Sequence, residues 1–156
     1  MTVQEAIESL QRAVWTDEDG EVTIATFEGP VDNRILIALE AEVGRLPDEF
    51  RDAAMLVGSA EGCGDADSIA FDGSLRCEFF NDLFPSGLPF ASDGSEGTWF
   101  ADLRAPGAVP IFYLSLDPPV MVLHCHGLAT WIAEIAGGAA GKIGRASCRE
   151  RVCSTV

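Results

Sequence analysis

The stretch from residue 88 to residue 103, LPFASDGSEGTWFADL, constrains this chain more than any other. It opens as an apolar segment stiffened by Pro89 and turns on Asp93-Gly94. Glycine there accepts a positive φ, and aspartate can bond its own backbone. Beyond the turn, Trp99, Ala101 and Leu103 fall on one face and Phe100 and Asp102 on the other, which is the two-residue period of a strand. The pattern is a turn feeding a core strand, and it carries no chemistry of its own.

The chain before this stretch reads as helices. Thr2-Val3-Gln4-Glu5 is a capping box, and Ala6, Ile7, Leu10, Ala13 and Val14 follow at helical spacing to about Trp15. Residues 16–20 form an acidic loop without the alternating ligands of a calcium site. Residues 21–28 alternate as one short strand that Gly29-Pro30 ends. A second helix starts at Pro30 or Asp32, lines up Ile35, Leu36, Leu39 and Val43, and stops at Gly44. A third starts at Pro47, with Asp48 and Glu49 in its first turn and Phe50, Ala53, Ala54 and Val57 on its buried face.

The chain after Ser59 reads as hairpins. Residues 68–71 and 75–80 are expected as strands joined at Asp72-Gly73, with a loop over 81–87. Strands 98–104 and 110–116 are separated by Pro106-Gly107, and Asp117-Pro118-Pro119 turns the chain into strand 120–126. Leu128, Trp131, Ile132 and Ile135 make a closing helix before Gly137-Gly138. Helices first, then hairpins, then a helix predict an α+β fold. N-terminal helices and a C-terminal helix pack on an antiparallel or mixed twisted β-sheet of about 4–6 strands, in one domain over residues 1–136.

The tail changes composition abruptly. Residues 142–156 hold the only lysine and resemble a translated sequencing adapter, so they are set apart from the fold, with 137–156 expected as a tail. The net charge of the whole chain is −15; without the four cations and one carboxylate of residues 142–156 it is −18. Such a chain repels nucleic acid and anionic lipid and attracts basic protein surfaces, although the same charge suits a merely soluble protein. The start has no basic, apolar leader, and no run approaches the ~20 apolar residues of a membrane span, so the expected compartment is cytoplasmic. Cys63, Cys77 and Cys125 remain once Cys148 and Cys153 are set apart. An odd, scattered trio suits free thiols and not a disulfide framework.

His124-Cys125-His126 is the triplet closest to chemistry. On a regular strand the two histidines share a face about 7 Å apart and Cys125 faces away, so cysteine and histidine could not act as nucleophile and base. A metal would need a third ligand by tertiary chance, from Glu78 or Asp102. Cys63 sits in a glycine-rich loop with nothing to orient it, and no phosphate loop or nucleophile elbow is present. No cofactor, no metal and no catalysis are expected.

Pro89-Phe90-Ala91-Ser92-Asp93-Gly94, with Trp99 and Asp102-Leu103, resembles the signature block of the SUKH superfamily. Leu46-Pro47-Asp48-Glu49-Phe50 resembles that family's LPxxF helix start, Asp117-Pro118-Pro119-Val120 its hDPPV hairpin, and Leu128-Ala129-Thr130-Trp131-Ile132 its closing helix. The likeness spans roughly residues 32–136. It implies the same α+β fold and a non-catalytic binding role. One branch implied is a bacterial immunity protein that neutralises a cognate toxin, often a basic nuclease; the other is a cell-wall regulator or scaffold of the Smi/Knr type. On this reading a protein partner, with neither nucleic acid nor membrane, meets the sheet face and loops around Asp93, Glu96, Trp99, Asp102 and Asp117.

Overall fold

The computed structural model describes residues 1–138; the adapter-like segment 142–156 lies outside the described residues. Helix α1 (Val3–Arg12) opens with the expected capping box. Thr2 Oγ1 accepts the Glu5 N–H at 3.1 Å and Glu5 Oε2 accepts the Thr2 N–H at 2.7 Å. The helix stops at Arg12 and does not reach Trp15. β-Branched and aromatic residues 14–16 instead form strand β1 (Val14–Thr16), paired with β2 (Val22–Ile24) in a two-stranded sheet that buries Trp15. The single strand expected over 21–28 is therefore two. The chain breaks at buried Ala25 and enters the main sheet as β3 (Thr26–Glu28).

Asp32 caps α2 (Asn33–Val43) by accepting the Arg34 N–H at 2.8 Å, and Gly44 ends it at φ 96°. Leu36, Leu39 and Val43 are buried as expected, but Ile35 is 45% exposed. Pro47 is the cap of α3 (Asp48–Leu56), whose Phe50, Ala53 and Ala54 are buried. Strands β4 (Ser59–Cys63) and β5 (Ala66–Ala70) follow. Their turn at Gly64-Asp65 is the hairpin that the sequence reading placed at Asp72-Gly73. Residues 75–80 are not a strand. Asp72 Oδ1 accepts the Ser74 N–H at 2.9 Å, the chain leaves the sheet, and α4 (Glu78–Leu83) forms over the expected strand end and loop. Phe80 and Phe84, one helical turn apart, both pack on Phe100, at ring distances of 5.0 and 4.8 Å. That contact is made only in three dimensions.

The remaining strands are β6 (Gly87–Ser92), β7 (Gly97–Asp102), β8 (Pro110–Leu116) and β9 (Pro119–His126), and α5 (Leu128–Gly137) closes the described chain. The main sheet is a seven-stranded antiparallel meander in the order β3-β4-β5-β6-β7-β8-β9. The fold is thus α+β as expected, with more strands than anticipated. No helix among the described residues is long and apolar enough to cross a membrane.

α1, α3 and α5 pack on one face of the sheet. Phe50, Phe71, Phe90 and Trp131 form a chain of ring contacts through this layer, and Trp99 joins it through Trp131 at 5.5 Å. One part-buried polar contact fixes the layer. Glu49 Oε2 on α3 accepts the Leu128 N–H at 2.7 Å, capping α5 from another helix, because the residue at α5's own cap position is Gly127. Glu49→Ala leaves that N–H unpartnered. It is expected to lower the stability of the chain by about 1–2 kcal/mol in urea titration, with no change of m-value. An unchanged midpoint would show that water replaces the cap at no cost.

Candidate functional site

Meander topology sorts the connections by end. The tight turns β4–β5, β6–β7 and β8–β9 all lie at one end of the sheet, and the longer connections lie at the other. The turn end carries Asp65, Asp93, Glu96 and Asp117, and no lysine or arginine occurs in these turns. Asp67, exposed on β5, joins them: a Cβ built on Gly94 would lie 3.0 Å from the Asp67 side chain. Arg34, Arg45, Arg51, Arg76 and Arg104 all lie in the connections of the opposite end. There Arg51 pairs with Glu40, Arg76 with Glu42, and Arg104 with Asp102. The turns at this end of the sheet therefore carry carboxylates and neither lysine nor arginine, a composition that attracts basic surfaces and repels phosphate.

The structure brings together three of the five residues expected at the partner surface: Asp93, Glu96 and Asp117. Glu96 and Asp117 are exposed. Asp93 builds the turn itself. Its Oδ1 accepts the N–H groups of Ser95 and Gly97 at 2.9 and 3.0 Å, and its Oδ2 accepts the Tyr113 hydroxyl at 2.8 Å. A Cβ at Gly97 would come within 2.2 Å of both Asp93 Oδ2 and the Tyr113 hydroxyl, so any side chain there would have to push this pair aside. The other two residues lie apart. Asp102 is at the far end of β7, where the Arg104 guanidinium holds its carboxyl below the usual carboxylate range. Trp99 is only 5% exposed and belongs to the core. Asp65 and Asp67 were missed because the sequence offered two glycine turns in this region and the wrong one was taken as the hairpin.

The histidine triplet departs from the regular strand. A bulge opposite Ile111 and Phe112 leaves His124 as the extra residue between the Leu123 and Cys125 pairs. Cysteine and histidine are therefore not on opposite faces. Ligand atoms of His124, Cys125 and Glu134 all lie within 4.8 Å of one another, a spacing that suits a metal ion or a thiol–imidazole pair. The hydrogen bonds of the His124 ring argue against the metal. Trp99 Nε1–H, a donor only, points at His124 Nδ1 at 3.2 Å, so that nitrogen is the acceptor and the neutral ring carries its proton on Nε2. That proton faces Glu134 Oε2 at 2.6 Å. A metal on Nε2 would move the ring proton to Nδ1, against another donor, where metal-bound histidines instead meet an acceptor. The arrangement ties β7, β9 and α5 together.

Cys63 is fully buried, and its thiol is pushed up to about 12, first by burial and then by the nearby Asp67 charge. It is a core residue and not an activated nucleophile. Comparison with protein-family models, with curated proteins and with solved structures found no match for this chain.

The raised Cys63 value gives a two-part expectation. In a Cys148→Ser/Cys153→Ser background at mildly alkaline pH, a disulfide reagent should label exposed Cys77 at once and Cys63 only after unfolding. The thiol stays neutral in the fold while the unfolded thiol ionises. Its contribution to stability is therefore complete below the model-compound value of 9.0 and declines as pH rises toward about 12. Fast labelling of Cys63 in the folded chain would contradict its burial.

Proposed function

We propose that this chain is a non-catalytic protein-binding module that neutralises a cognate bacterial toxin with a basic working surface, such as a nuclease, inside the cytoplasm. The observation that carries the reading is the carboxylate row at the turn end of the sheet: Asp65, Asp67, Glu96 and Asp117, with no cation in the turns between them. A surface of that kind competes with a nucleic-acid backbone for the same arginines and lysines, and it speeds encounter by long-range attraction. The SUKH resemblance supports the same role. The Smi/Knr-type regulatory or scaffold role is the second reading, and it rests on the resemblance alone.

The test is rescue. Proteins encoded by the flanking genes are expressed with and without this chain; growth arrest by one of them, relieved by this chain, and a co-purifying complex are the expected outcome. Reversing Glu96 and Asp117 to lysine should weaken the complex by about 1 kcal/mol or more per site, mainly through slower and more salt-dependent association. Asp102→Lys, at the far end and already paired, should change association little. Failure of rescue by a folded chain favours the regulatory reading. Rescue that is insensitive to Glu96 and Asp117 would move the binding surface elsewhere.

A further inference from the structure

The edges of the main sheet differ. β3 is three residues long and carries Glu28, the short and charged form that discourages pairing. β9 is eight residues long, PVMVLHCH, with no acidic or basic side chain other than its histidines. It is the last strand in the sheet order, and its ladder runs to β8 only. Among the described residues, no backbone hydrogen bond outside that ladder involves residues 119–126.

The side chains beside this edge are apolar and open. Met121 and Leu123 lie on the face away from α1, α3 and α5, where Leu123 is opposite Phe112, which stacks on Phe100. Met121 is 50% exposed, Leu123 47% and neighbouring Leu116 54%. The bulge at His124 distorts the C-terminal part of the strand and leaves residues 119–123 as the regular, pairable part.

Charge decides what can cover this edge. From residue 105 to residue 133 the only charged side chain is Asp117, in a chain whose net charge is −15. A basic partner is drawn to the turn end, where the carboxylates are, and has no counter-charge on β9. Two copies of the chain repel each other almost everywhere, but β9 is a place where they can meet without like charges in contact. The segment is also self-complementary. A two-fold axis lays an antiparallel edge strand against itself, so neutral meets neutral and apolar meets apolar.

We propose that β9 pairs with β9 of a second copy, antiparallel over residues 119–123 and centred on Met121, to give a two-fold dimer with one sheet running through both chains. In that register Pro119 of one copy lies opposite Leu123 of the other, on the open face. Asp117 of each copy reaches the Cys125–His126 end of the other, where the Glu134 carboxylate is already paired with His124. The turn end of each copy keeps Asp65, Asp67 and Glu96 outside the joint. The dimer draws Asp117 of the turn end into the joint, and it does not rest on the toxin-binding reading.

Light scattering during gel filtration of the full chain tests this, under reducing conditions that keep Cys148 and Cys153 from forming disulfides. The expected mass is that of two chains, falling to one on dilution. Met121→Lys sets like charges directly across the axis, and Leu123→Lys puts a charge in the apolar seam opposite Pro119 of the other copy; each should give a monomer of unchanged circular dichroism. Ile37→Lys, which adds the same charge at an exposed position on α2, should leave the dimer intact. A monomer at every concentration up to the sub-millimolar range overturns the proposal. So does a dimer that survives both β9 substitutions, or one that Ile37→Lys dissolves equally well. Amide exchange of the unaltered chain gives a reading free of any folding defect: protection of residues 120–123 should rise with concentration, and concentration-independent exchange refutes the pairing.

Discussion

The constraint on which the rest of this structure depends is that each strand of the main sheet pairs with its neighbour in sequence. In such a meander the chain reverses at alternate ends, and the ends cannot be mixed. Short hairpin turns collect on one side, and the helix-bearing connections collect on the other. Because the short turns are built from aspartate, glutamate, glycine and serine, the charges of one end follow directly from turn chemistry. Arg34, Arg45, Arg51, Arg76 and Arg104, placed in helices and longer loops, end up away from them.

The helical layer closes the opposite argument, for packing. A sheet with one face buried needs helices that present a continuous apolar surface, and α1, α3 and α5 supply it around Phe50, Phe90 and Trp131. Two polar ties keep this layer in register with the sheet. Glu49 caps α5 from α3, and Glu134 on α5 meets the His124 ring that also accepts from Trp99. The second tie needs the bulge in β9, since a regular strand would have turned His124 elsewhere. The distortion that defeats a simple alternation argument is thus the feature that fastens the last helix.

The open face of the sheet is treated differently along its length. α4 folds down on Phe100 through Phe80 and Phe84 and shields β7. Among the described residues Met121 and Leu123 at the β9 edge stay about half exposed, and the same region lacks the charges found over the rest of the molecule. Acidic end and neutral edge are two distinct surfaces, with different chemistry and different suitable partners.

Local pattern alone determined a good part of this. The capping box at Thr2 and Glu5, the apolar stripe of α3, the strands on either side of Pro106-Gly107 and the α+β class are all written in short-range spacing. A cap or an alternation acts within a few residues and needs no distant partner. Tertiary structure decided what depends on contacts far apart in sequence. Val14, Trp15 and Thr16 have helix-compatible spacing but gain more by pairing with Val22–Ile24. Residues 75–80 alternate like a strand, yet Phe80 and Phe84 reach Phe100 only from a helix. Of the candidate surface, Asp93, Glu96 and Asp117 were legible as turn residues; that Asp65 and Asp67 stand beside them, while Asp102 lies at the other end and Trp99 is buried, follows from strand order and register. Those are set by pairing across the whole sheet, and no window of sequence contains them.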